Sequence, residues 1–93
     1  MIASNEYFDA KVKSLGYETA QGKSTVGVME PGEYEFGTSS HEIMTVIEGE
    51  LLVTLPGSVE AKSYKAGSSF EVVKNSSFKV VAKGQTSYLC LYR

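Results

Sequence analysis

The stretch Glu42-Ile43-Met44-Thr45-Val46-Ile47-Glu48-Gly49-Glu50-Leu51-Leu52 reads as a strand, a tight glycine turn and a second strand. A carboxylate stands at its head, with one histidine, His41, immediately before it. Working outward, turn signals recur at short spacing. They are Gln21-Gly22, Pro31-Gly32, Thr38-Ser39-Ser40, Glu48-Gly49, Pro56-Gly57, Ala66-Gly67, Asn75-Ser76-Ser77 and Lys83-Gly84. Each interval between them is rich in Val, Ile, Tyr, Phe or Thr. Strands at roughly 8–12-residue spacing predict an all-β sandwich or barrel.

Alternation assigns the faces. Leu51, Val53 and Leu55 fall on one side of their strand, as do Phe70 with Val72 and Phe78 with Val80. A period of two places one side of each strand against a core. Asn5 to Leu15 comes nearest to a helical stripe, but Val12 and Leu15 break it, so it reads as an arm and a first strand. No repeat, linker or low-complexity segment interrupts the chain, and residues 1–93 read as a single domain.

At 93 residues such a domain buries roughly 60–65% of its unfolded surface. An apolar share of 42%, with six tyrosines and four phenylalanines, supports a real core. Nine basic residues oppose eleven acidic ones, and the lysines are scattered from Lys11 to Lys83. A nucleic-acid partner calls for a basic stripe, so that class is excluded. The apolar runs are too short to span a membrane as a helix. The opening Met1-Ile2-Ala3-Ser4-Asn5-Glu6 lacks a basic and then apolar leader pattern. The single cysteine, Cys90, fits a reducing compartment. Together these features predict a soluble, cytoplasmic protein.

Segments of the strand–Glu–Gly kind resemble the first signature motif of small β-barrels of the cupin type, a jelly-roll fold. A second motif is visible as Gly67-Ser68-Ser69-Phe70-Glu71-Val72-Val73-Lys74-Asn75-Ser76-Ser77-Phe78. In that family histidines join the glutamate in holding a metal. Here the corresponding places read Phe36, Thr38 and Phe78. His41, adjoining Glu42, should point the opposite way on an alternating strand, as a solvated loop residue. A metal site needs about four ligands, several of them imidazole, so neither metal nor other cofactor is expected.

Other residues have ordinary readings. Cys90 sits in the apolar run Tyr88-Leu89-Cys90-Leu91-Tyr92, where a free thiol behaves as a small hydrophobe. Met29 and Met44 read as core gap-fillers. Glu42 is less easily assigned. A carboxylate at the start of a core strand either lines the barrel mouth, a frequent ligand site, or makes structural hydrogen bonds. The residues alone leave both open.

Read end to end, the chain is similar to a narrower family. The strings Ser4-Asn5-Glu6-Tyr7-Phe8, Lys11-Val12-Lys13-Ser14-Leu15-Gly16, Val26-Gly27-Val28-Met29, Gly32-Glu33-Tyr34, Met44-Thr45-Val46-Ile47 and Ser87-Tyr88-Leu89-Cys90 resemble the small bacterial pyrimidine/purine nucleoside phosphorylases, one-domain cupins of about this length. The resemblance implies a pentosyltransferase of broad specificity, with nucleosides and inorganic phosphate as partners. It would release a free base and form (deoxy)ribose 1-phosphate.

Such chemistry develops positive charge on the ribose. Glu42 could accept hydrogen bonds from ribose hydroxyls and favour that charge. Phe36, Phe70 and Phe78 could stack the base, and Tyr88 offers a hydroxyl; alternation turns Thr45 to the face opposite Glu42. Lys79 and His41 are the candidate phosphate ligands, although no glycine-rich phosphate loop exists. A homodimer is expected, with the Tyr7-Phe8 arm as a contact. The alternative is a non-catalytic cupin that binds a small molecule in an aromatic pocket.

Overall fold

The computed structural model describes residues 1–93. Ten strands account for its regular structure: β1 (Ala3–Tyr7), β2 (Val12–Thr19), β3 (Gly22–Met29), β4 (Gly32–Gly37), β5 (Glu42–Glu48), β6 (Glu50–Thr54), β7 (Lys62–Lys65), β8 (Ser69–Val72), β9 (Ser77–Ala82) and β10 (Thr86–Tyr92). All pairings are antiparallel. They build a six-stranded sheet, β1-β2-β3-β10-β5-β8, and a four-stranded sheet, β4-β9-β6-β7. The turn signals of the sequence all fall at strand junctions.

The inner sides of the two sheets share one core. The smaller sheet contributes Leu51, Val53, Phe78 and Val80; the larger contributes Val12, Met29, Met44 and Val46. Their alternation along β6, β8 and β9 matches the period of two read from the sequence. Gly49 makes the β5–β6 turn. Its φ is +103°, and a Cβ there would meet the Thr86 hydroxyl oxygen at 2.6 Å, so only glycine fits.

Two features of the larger sheet position the site. The first is an overhang, because six strands face only four. The β1–β2 hairpin at one edge extends the inner side of the larger sheet beyond its cover, and β1 pairs with β2 alone. The second is the turn between them. Phe8, Asp9 and Ala10 have φ of 55°, 57° and 66°, closed by Lys11 N–H donating to Phe8 O at 3.2 Å. Three consecutive non-glycine residues in the left-handed region cost of order 1–3 kcal/mol each. The aromatic contacts of Phe8 hold them there: its ring lies 5.1 Å from that of Tyr34 and 5.4 Å from that of Phe36.

Candidate functional site

Alternation on β5 and β10 decides which side chains meet. On β5, Glu42, Met44 and Val46 point inward, while Thr45 points outward and hydrogen-bonds the Ser69 hydroxyl at 2.7 Å. On β10 the inward set is Tyr88, Cys90 and Tyr92. The two strands are paired with Cys90 opposite Met44 and Tyr92 opposite Glu42. A carboxyl, a thiol and two phenols therefore share one inner surface.

That surface floors a cavity of about 480 Å³. Glu42, Tyr88, Cys90 and Tyr92 form its polar side. Phe36 and Phe78, from β4 and β9, face them. Tyr7 and Phe8 close the edge from the overhanging hairpin. The Phe36 and Phe78 rings are stacked, 5.6 Å apart and inclined by 29°. They pair across the β4–β9 register, which fixes their approach.

Glu42 is buried, with 8% of its surface exposed. The Cys90 thiol donates to its Oε1 at 3.4 Å. Burial pushes the Glu42 carboxyl above the usual carboxylate range, and the thiol hydrogen bond only partly offsets this. Burial, then the charge of Glu42, raises the Cys90 thiol far above its ordinary value. A thiol so raised stays protonated, which suits a donor and not a nucleophile. Tyr88 is pushed up to about 12, chiefly by burial. Tyr92 is raised by the same cause, with the hydroxyl of Thr25 3.1 Å away lowering it somewhat. At neutral pH the three groups around Glu42 are uncharged donors, and the carboxyl is the only ionisable centre among them that can carry charge.

The sequence candidates separate on this geometry. Glu42, Phe36, Phe78 and Tyr88 meet in the cavity. Phe70 does not line it; its ring packs 4.8 Å from Tyr64 and 6.0 Å from Phe78, behind the cavity wall. His41 is outside, its Nε2 2.7 Å from Glu71 Oε1 on the exposed side. Lys79 is cross-strand from Glu35 and Thr54, in a separate shallow depression. Neither basic candidate reaches the cavity: Lys79 stands at an outward position of β9, and His41 lies in the loop before β5, paired with Glu71. Tyr7, Phe8, Ser14, Cys90 and Tyr92 line the cavity without having been singled out as site residues. The period-two run Tyr88-x-Cys90-x-Tyr92 is the signal that could have found the last two.

The donor set does not fit a metal ion. No group of three His, Cys, Asp or Glu side chains converges in the chain. Thr38, at one of the places a metal cupin fills with histidine, is committed to structure. Its hydroxyl donates to Val73 O at 2.7 Å and accepts from Ser76 N–H at 3.0 Å.

Comparison with known proteins agrees with this architecture. Among solved structures, a Vibrio parahaemolyticus protein described as of unknown function superposes with a TM-score of 0.96 at 46% identity, covering 100% of this chain and 99% of that one. An RmlC-like cupin from Shewanella frigidimarina shares the fold, with a TM-score of 0.74 at 17% identity, over 98% of this chain and 82% of that one. The all-β, cupin-like reading of the sequence therefore holds. A relative from Pseudomonas fluorescens named pyrimidine/purine nucleoside phosphorylase is 52% identical over 93 residues, 100% of this chain and 99% of its own. One of the same name from Alcanivorax borkumensis is 51% identical over 92 residues, 99% of this chain and 98% of its own. The family model described as pyrimidine/purine nucleoside phosphorylase matches residues 2–92. The chain belongs to the pyrimidine/purine nucleoside phosphorylase family.

Proposed function

We propose that residues 1–93 act as one domain catalysing phosphorolysis of purine and pyrimidine nucleosides to free base and (deoxy)ribose 1-phosphate. The observation that carries this reading is one buried carboxyl, Glu42, facing a pair of stacked phenylalanines across a cavity of nucleoside size. In the reaction a phosphate oxygen bonds to the anomeric carbon as the C–N bond breaks. The electron pair leaves with the base, which takes up a proton from solvent. Positive charge builds on the ribose between these events. The Glu42 carboxylate accepts hydrogen bonds from the ribose hydroxyls and stabilises that charge from its buried position.

The base stacks on Phe36 and Phe78. An intercalated base would need ring centroids about 7 Å apart, two van der Waals contacts of ~3.5 Å. At 5.6 Å the pair leaves no such gap, so the base lies against its cavity side. Stacking accepts any base, which suits broad specificity. Phe70 serves by backing Phe78, and the Tyr88 phenol supplies a neutral donor. Incubating the protein with uridine or adenosine, with and without phosphate, tests this. Base release that requires phosphate is expected.

One observation favours a second reading, a non-catalytic nucleoside-binding cupin: no Lys or Arg lines the cavity. Nucleoside-dependent thermal stabilisation without base release would select it.

The same reading includes a homodimer in a reducing, cytoplasmic setting, where the free thiol of Cys90 is at home. Phe8 packs on Tyr34 and Phe36 of its own chain, while Tyr7 and Phe8 keep part of their surface exposed at the hairpin. The outer face of the larger sheet is better suited. Leu15 and Val26 are cross-strand partners there, both strongly exposed and joined by Tyr17, Val28 and Ile47. An apolar face of that kind is what a second copy would cover.

A further inference from the structure

The cavity around Glu42 has a neighbour. Beyond Tyr7, Ser39 and Tyr92, which line both, an open groove continues along the overhanging inner side of the larger sheet. The two spaces differ in chemistry. The cavity is aromatic and has one buried carboxyl, Glu42, with no basic side chain among its lining residues. The groove is lined by Thr25, Ser39 and Ser40, and by one basic and one acidic residue, Lys23 and Glu18. Lys23 is the single basic side chain lining either space.

We propose that this groove is the phosphate subsite of the phosphorylase, with Lys23 as its cation and the Thr25, Ser39 and Ser40 hydroxyls as donors; the proposal rests on the phosphorolysis reading. Three observations support it. Lys23 is uncommitted: the ion pairs of the chain are Lys13 with Glu6 and His41 with Glu71. Glu18 stands opposite Lys23 in the β2–β3 register without an ion pair, so the lysine remains available.

The strand end carrying Lys23 is also held in place. Arg93 Nη1 donates to the carbonyls of Lys23 and Tyr92, each at 2.8 Å, which ties the start of β3 to the end of β10. Lys23 and Tyr92 are cross-strand partners, so this clamp holds the Lys23 backbone beside the partition between the two spaces. Finally, the floor is cut away. Ala3 and Gly16 are cross-strand partners, and an ideal Cβ on Gly16 would lie 3.6 Å from that of Ala3, so no large side chain fills the groove there. An anion held at the partition by Lys23 sits beside a sugar held by Glu42, on the polar side of the aromatic wall.

The test uses inorganic phosphate. Lys23→Met is expected to raise KM for phosphate roughly 10–100-fold, the worth of one charge-assisted hydrogen bond to a bound anion, and to leave KM for uridine unchanged. Lys23→Arg should recover most of the loss. Lys79→Met, outside both spaces, should alter neither constant. Phosphate-dependent thermal stabilisation, read without turnover, should weaken in parallel. A KM for phosphate within about twofold of wild type in Lys23→Met overturns the proposal. A wild-type protein that is stabilised by phosphate through Lys23 but releases no base overturns the phosphorolysis reading and leaves the anion site standing. A wild-type protein that turns over while phosphate stabilises it equally with and without Lys23 overturns the anion site alone.

Discussion

Gly27, in the middle of β3, tests how tightly the cavity floor is built. It pairs with Tyr88 across β10, and a Cβ at Gly27 would meet the phenol oxygen at 2.5 Å, Cζ at 2.6 Å and Cε1 at 2.8 Å. Carbon contacts normally lie at ~3.5–4.0 Å, so Gly27→Ala must push the ring by about 1 Å. Tyr88 is buried, so its ring can yield only toward the cavity that it lines. Overpacking of this kind costs about 1–3 kcal/mol. At about 4–8 °C per kcal/mol for a domain of this size, the melting temperature should fall by about 4–24 °C.

The backbone itself does not require glycine, since Gly27 is not among the residues with positive φ. With the ring removed, alanine in a strand should be neutral or stabilising by about 0.5–1 kcal/mol. Gly27→Ala in a Tyr88→Leu background should therefore change sign. Urea unfolding of the wild type, both single variants and the double variant measures the coupling. A coupling of about 1–3 kcal/mol is expected. Additive effects would refute the close approach of Tyr88 to Gly27 and the cavity floor built on it.

Four further outcomes follow from the same structure. Because burial raises the Glu42 carboxyl above its unfolded value, the folded protein holds the extra proton between the two pKa values. Wild-type stability then falls as pH rises through the folded pKa. Melting temperatures of wild type and Glu42→Gln should converge near pH 4 and separate above it, with Gln the more stable; parallel curves would contradict the raised value. Phe36→Leu should raise KM for nucleoside roughly tenfold or more, as loss of one stacking surface predicts, with little change in melting temperature. Phe70→Ala, behind the wall, should do the opposite and cost about 3–5 kcal/mol of stability; urea unfolding beside steady-state kinetics separates them. Leu15→Lys with Val26→Glu should convert a sedimenting dimer to monomer, whereas an unchanged sedimentation coefficient would exclude the outer sheet face as the contact.

Much of this was legible in the chain because its local rules agree with one another. The turn signals from Gln21-Gly22 to Lys83-Gly84 all mark junctions, and positive φ at Gly49, Gly57, Gly67 and Asn75 shows why those residues stand there. Alternation from Glu42 correctly turned Thr45 and His41 away from the inner side.

The β1–β2 turn was hidden for a physical reason. Phe8-Asp9-Ala10 carries no Gly or Pro, and its left-handed backbone is imposed by the packing of Phe8. Without that turn, the overhang and its groove could not be placed, and Lys23 looked like any surface lysine. Phe70 and Phe78 are equivalent by alternation on their own strands. Only the arrangement of β8 and β9 in different sheets puts one ring at the wall and the other behind it.

The proposed phosphorolysis depends most on the Glu42 carboxylate stabilising charge on the sugar during bond cleavage. Glu42→Gln keeps the shape and the oxygen that accepts from Cys90, and removes the charge. Turnover of uridine with saturating phosphate, measured at neutral pH on protein whose folding is checked by thermal unfolding, tests it directly. A loss of roughly 10²–10³ in kcat is expected, with a melting temperature equal to or above that of wild type. Unchanged turnover, or a collapse of the melting temperature with activity per folded molecule preserved, would contradict it.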